Sequence, residues 1–180
     1  MGGPGIINPS LAEAVAYTRW FYGICMGFDR ASAAVGAAGR VFIAAVEVRW
    51  PVRTDEFLYM VGAAQAGNVR VALYEDGPAG DIPDGGALIV ESASVAQAAT
   101  ANVQIVPVAV TTLPPGLYWF GIMGDDVAAT YTGFRDSSSL LGRWFNNSIG
   151  YGAYDDPCPV TAGATRRPEC AVGVLENLSI

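Results

Sequence analysis

A chain of 180 residues that is 52% hydrophobic and only 15% charged carries enough apolar material for the core of one domain, which argues against a disordered polymer. Its net charge is −7, and its ten basic residues are all arginine, with no cluster beyond Arg166 and Arg167; a nucleic-acid ligand, which needs a basic footprint, is not expected. Histidine is absent, so Ser-His-Asp and Cys-His centres and histidine zinc sites cannot be built from this chain alone.

Residues 1–28 read as an extended N-terminal arm and first extended segment, and residues 29–180 as one β-sandwich domain. Met1 to Gly5 lack the basic and apolar stretches of a secretory signal. Ser10 and Glu13 form a capping-box pair for two helical turns over Leu11–Tyr17, the alternative being that this stretch runs straight into the next strand. Arg19–Phe28 is too aromatic and too rich in glycine for a helix and reads as strand or extended chain. Ala31–Gly39, small and flexible, reads as a loop.

Strand signals then recur at regular spacing. Arg40–Trp50 is a β-rich run ended by Pro51, and Thr54–Val61 follows. Asn68–Glu75 alternates, with Val69, Val71 and Leu73 on one face and Arg70, Ala72 and Tyr74 on the other. Asp76 to Gly80 is a turn that Asp81–Gly86 extends, and Ala87–Glu91 is a short strand. Asn102–Val110 is another, with Pro107 marking an edge or a bulge. Leu113, Pro114, Pro115 and Gly116 form a stop, because the prolines lack backbone donors and Gly116 is free to take a tight reversal. In the strand that follows, Leu117, Trp119, Gly121 and Met123 point one way and Tyr118, Phe120 and Ile122 the other. Both faces are apolar, which predicts a central strand covered on both sides. Gly124, Asp125 and Asp126 end it, and Ala128–Phe134 is expected to pair with it across that turn. From Arg135 to Arg167 the pattern loosens into turns with interleaved aromatics, and Cys170–Leu178 reads as a final strand. Strands at this spacing predict an all-β fold, an antiparallel jelly-roll-like β-sandwich.

The residues able to carry chemistry are few. Asp125 with Asp126 and Asp155 with Asp156 are adjacent acidic pairs in turns, where aspartate is common for structural reasons. Spaced loop oxygens at Asp76, Asp81 and Asp84 suit calcium in type but lack EF-hand spacing, so no metal and no cofactor is expected. No catalytic residue is assigned. The rings of Trp144, Phe145, Tyr151 and Tyr154 have two readings. They cover one end of the sandwich or a subunit contact, or they form a shallow face on which a sugar stacks, with Asn146, Asn147 and Asp155 supplying hydrogen bonds. Cys158 and Cys170 bracket a Pro-, Thr- and Gly-containing loop and are either disulfide-bonded or two free thiols; a bond would stabilise the fold by roughly 3 kcal/mol on a loop-entropy argument. Cys25 reads as a small buried apolar residue. No uncharged apolar run reaches the ~18 residues of a membrane span. The low charge density points to surface buried between copies of the chain.

The segment Val69–Met123 resembles a group of β-sandwich domains in structural proteins of tailed bacteriophages. The matching pieces are Val69 to Gly77, the turns at Pro78–Gly80 and Pro83–Gly85, the apolar run from Leu88 to Ser92, and Leu113 to Trp119. The upstream run Arg40–Val61 and the loose C-terminal region fit the same order, so that the resemblance covers about three-quarters of the chain. It implies a virion protein without enzymatic activity, located in capsid decoration, tail or fibre. It further implies a homo-oligomer, a trimer first, in contact with other virion proteins. The reading that competes with it is a carbohydrate-binding or receptor-binding module at a fibre tip that takes a surface glycan.

Overall fold

Fifteen strands and no helix make up the described part of the chain. The computed structural model describes residues 21–22, 30–34, 40–80, 83–98, 102–135, 144–145, 150–158, 163–164 and 166–178. In chain order the strands are β1 (Phe21–Tyr22), β2 (Arg30–Ala34), β3 (Phe42–Val48), β4 (Val52–Met60), β5 (Asn68–Glu75), β6 (Leu88–Glu91), β7 (Val95–Ala96) and β8 (Val103–Leu113). They continue with β9 (Gly116–Gly124), β10 (Thr130–Arg135), β11 (Trp144–Phe145), β12 (Gly163–Ala164), β13 (Arg166–Pro168), β14 (Cys170–Gly173) and β15 (Glu176–Asn177).

The apolar strand after the double proline is β9, and it is central as its two-faced pattern predicts. It pairs antiparallel with β3 on one side and β5 on the other, and β6 and β7 extend the sheet beyond β5. In the second sheet β4 is central. It pairs antiparallel with β8 on one side and with β14 and β15 on the other, and β1 lies beyond β14. The chain crosses between the sheets from β3 to β4, from β4 to β5, from the β5–β7 group to β8, and from β8 to β9. A small third sheet, β13-β10-β2, joins the second through a bridge between Val61 and Tyr131.

One core fills the space between the two large sheets. Phe42, Val46, Val71, Leu73, Phe120 and Ile122 come from one side, and Phe57, Tyr59, Val106 and Val172 from the other. Phe57 meets Phe120 edge to face across it, with ring centroids 6.0 Å apart, the geometry aromatic quadrupoles favour. The alternate residues of β3, β5 and β9 (Ile43, Ala72, Tyr74, Trp119 and Met123) form a second core on the opposite face of their sheet, together with Tyr154 and Cys158. Period-2 alternation therefore feeds two cores from one sheet.

Several expectations change. Ala31–Gly39 is not wholly a loop. Ala31–Ala34 belong to β2, whose register on β10 runs from Thr130 opposite Ala34 to Phe134 opposite Arg30; backbone pairing, not side-chain bulk, makes this strand. The strand after Asp126 does not pair with β9, because β3 and β5 already occupy both edges of β9; it pairs with β2 and β13 instead. The final strand is two short pieces, β14 and β15, both on β4. Pro107 marks both an edge and a bulge: β8 has β4 alone beside it among the described strands, and the register shifts between Thr54 and Glu56, where Thr111 and Pro107 are the partners. The Leu11–Tyr17 stretch, Cys25 and the proposed arm through residue 20 lie outside the described residues.

Candidate functional site

The second core exists because a strap, Gly150–Cys158, lies on the outer face of the β3-β9-β5-β6 sheet. Tyr154 is its plug. The ring is 5% exposed and stands edge-on to Tyr74, centroids 6.2 Å apart. Its hydroxyl donates to the Arg70 carbonyl at 2.8 Å and also approaches the Gly121 carbonyl at 3.3 Å. Gly121 leaves the room this needs: a Cβ there would sit 3.4 Å from the Tyr154 ring and 3.3 Å from Val41.

The rest of the strap is tied down by backbone and carboxylate bonds. The Tyr154 N–H donates to Glu91 Oε2 at 3.0 Å, and Glu91 also pairs with Arg70 at 3.1 Å. Arg70 donates to the Gly152 carbonyl through Nη1 and to the Ser92 carbonyl through Nε at 3.1 Å. The Tyr74 hydroxyl donates to the Asp155 carbonyl at 2.9 Å, and the Leu88 N–H donates to the Asp156 carboxylate at 2.9 Å. Cys158 closes the strap by exchanging backbone bonds with Gly85 and Gly86, 3.0 and 2.8 Å long.

This environment shifts several titrations. Burial raises the Tyr154 hydroxyl well above the usual phenol range, and the neighbouring Tyr74 adds to the effect. Tyr74 rises for the same first reason, with Cys158, Asp155, Glu91 and Asp156 as negative neighbours. Burial, then Asp84 and Asp155, pushes the Cys158 thiol up to about 12. Such a thiol is protonated and inert at neutral pH. Asp125 moves the other way, held below the usual carboxylate range by the Asn68 side chain and backbone N–H.

The four aromatic residues therefore separate. Tyr154 belongs to the core and is closed to any ligand. Tyr151 is half-buried beside it, its hydroxyl 2.5 Å from Ser94 Oγ, and one side of the strap remains open to solvent there. Trp144 and Phe145 lie on β11, with Cα partners Ala164 and Gly163 on β12; Asn146 and Asn147 lie outside the described residues. Asp155 offers its carbonyl to Tyr74.

Several of the acidic turn residues accept hydrogen bonds from within the fold. Both Asp125 oxygens accept from Asn68, at 2.6 and 2.7 Å, and Asp126 accepts from the Ala128 N–H at 2.8 Å. Asp76 accepts from the Trp119 indole N–H at 2.8 Å. Among the described residues no group of three His, Cys, Asp or Glu side chains comes together as metal ligands; Asp81 lies outside them. Cys158 and Cys170 are not disulfide-bonded to each other. The disulfide is absent because Cys170 sits in the core between the sheets and Cys158 in the second core. No helix among the described residues is long and apolar enough to cross a membrane.

Sequence reasoning missed Arg70, Glu91 and Ser94 as the partners of the aromatic strap. Arg70 alternates outward between two core residues of β5, and that outward charge was the available signal. No family model matches the chain, and a search of curated proteins finds no match either.

Proposed function

We propose that this chain is a non-enzymatic structural subunit of a phage-type virion, decorating the capsid or forming part of a tail or fibre, and that it assembles with copies of itself and with other virion proteins. The observation that carries the reading is the strand order. The order β1-β14-β4-β8 facing β3-β9-β5-β6, with the chain repeatedly crossing between the two sheets, supports a jelly roll, an architecture used by viral capsid domains and also by lectins. The fate of the acidic side chains supports the non-enzymatic part. Asp76, Asp125, Asp126, Asp156 and Glu91 all accept structural hydrogen bonds. Mechanism here is assembly: a rigid sandwich presents surfaces to its neighbours.

Sedimentation and negative-stain microscopy of the purified chain test this. A discrete closed oligomer, a trimer first, is the expected result, and a monomer at every concentration up to ~100 μM, well above the range in which stable interfaces dissociate, would sink it. Flanking capsid genes would argue for decoration, and flanking tape-measure or baseplate genes for the tail.

A second reading, a glycan-binding module at a fibre tip, is favoured by Tyr151 alone, whose half-buried ring lies beside the Ser94 hydroxyl. A glycan array separates the two. Specific binding that Tyr151→Ala or Trp144→Ala abolishes without loss of folding supports the module.

A further inference from the structure

Both large sheets bury residues on their outer faces, Leu58 and Ala171 doing so at the centre of the second, and they differ in what is left exposed at their edges. The strap seals the β3-β9-β5-β6 sheet. Among the described residues four of the five exposed large apolar side chains lie on or beside the other: Ile105 is 47% and Val110 55% exposed on β8, Trp50 at 39% precedes β4, and Leu175 at 41% precedes β15, while the fifth, Val127 at 60%, stands alone in the turn after β9. β8 itself runs eleven residues, Val-Gln-Ile-Val-Pro-Val-Ala-Val-Thr-Thr-Leu, without one charge.

Edge strands of soluble proteins are ordinarily protected by charge, most often lysine, and this chain has no lysine. The other sheet's boundary strands, by contrast, carry Glu47 and Glu91. Charge depletion with exposed aliphatics is the composition of an interface centre.

We infer that the β8 edge is where copies of this chain meet. This rests on the self-assembly reading above and adds its location. The occupant follows from that reading, and charge narrows where two copies can touch. Two copies each carrying −7 repel over most of their surfaces, and contact costs least where neither presents a charge. A basic partner would instead be drawn to the acidic surface and would gain nothing from β8. The contact is made by side chains and not by a continuous shared sheet, since Pro107 has no N–H to donate and the register shift opposite Thr54 and Glu56 interrupts the edge.

The test compares the full-length chain with Ile105→Glu/Val110→Glu, and with Val127→Glu as a control at a 60% exposed position in the turn after β9. Analytical ultracentrifugation should give an oligomer for wild type and the control. The double variant should dissociate at least ~10-fold more readily, with an unchanged far-UV spectrum. A wild-type oligomer whose mass the double variant leaves unchanged overturns the β8 assignment alone; a monomeric wild type overturns the self-assembly reading with it. Hydrogen exchange of wild type at low and high concentration needs no variant. Val103–Leu113 should gain protection as the oligomer forms, and unchanged exchange there overturns the assignment.

Discussion

Replacing Tyr154 tests whether the strap is part of the fold or a ligand face laid on it. Tyr154→Ala removes a ring that is 5% exposed, and loss of a buried aromatic side chain costs about 3–5 kcal/mol. The edge contact with Tyr74 at 6.2 Å disappears with it, which places the effect toward the upper part of that range. Tyr154→Phe keeps the ring and removes only the hydroxyl that donates to the Arg70 carbonyl at 2.8 Å, at a cost of about 0.5–1.5 kcal/mol. Tyr151→Ala, at a half-buried position with one side-chain bond to Ser94, should cost about 1 kcal/mol.

Urea titration followed by tryptophan fluorescence reads all three. For a chain of this size each kcal/mol moves the thermal midpoint by roughly 2–4 °C, so the Ala variant at position 154 should melt at least ~6 °C lower. The order Tyr154→Ala, then Tyr154→Phe and Tyr151→Ala close together, is the signature of a plug. A Tyr154→Ala variant within ~1 kcal/mol of wild type, with unchanged exchange across the sheet beneath, would show that the strap contributes nothing to the fold.

Trp119→Ala removes a ring 1% exposed, together with its bond to Asp76, and should cost about 3–5 kcal/mol by the same titration; a fully stable variant would mean that β9 is misplaced. Gly67 has φ +61°, and a Cβ there would run into the Asp125 carboxylate, so Gly67→Ala should destabilise by more than ~1 kcal/mol in a thermal melt. Cys158 titrates near 12 in the fold against about 8.5 in an open chain. Between those values the folded state binds more protons, so stability is intact below pH ~8.5 and falls as pH rises, by at most ~1.4 kcal/mol per pH unit for this group. Cys158→Ala should flatten that part of the alkaline stability profile, and a native thiol titration at pH 7 should leave Cys158 unmodified.

The all-β class, β9 as a two-faced central strand and Pro107 as an edge and bulge were legible because each rests on local chemistry: alternation, missing donors and turn residues. Pairing partners were not. Nothing in Thr130–Phe134 itself says that it joins Ala31–Ala34, nearly a hundred residues earlier, in place of the adjacent strand; that choice is made by β3 and β5, which leave β9 no free edge. The aromatic segment was half legible. Spacing placed Tyr151 and Tyr154 on one loop, but only the fold distinguishes the ring under the strap from the ring beside it. Arg70 escaped notice because a single outward charge on a strand ordinarily means solvent, whereas here it meets Gly152, Ser92 and Glu91.

The strap also explains why the composition is so apolar without the strands being unusually long. A sandwich with one core needs apolar residues on one face of each sheet. Here β3, β5 and β9 supply two cores, and their outward residues Ile43, Tyr74, Trp119 and Met123 are buried within the chain itself. That accounts for the surplus on one side of the molecule and leaves the surplus on β8 unspent. An outer face covered by the chain's own strap has no need of a partner, whereas an uncharged edge with Ile105 and Val110 in solvent is a surface at which association would remove apolar area from water. On the self-assembly reading, low charge density has two separable origins, and they respond to different substitutions. Tyr154→Ala should lower the stability of each subunit with little effect on subunit affinity per folded chain. Ile105→Glu/Val110→Glu should weaken association and leave the stability of the isolated subunit within ~0.5 kcal/mol. A double variant that instead lost folding cooperativity in urea would place β8 inside a subunit core, and the asymmetry between the two sheets would lose its meaning.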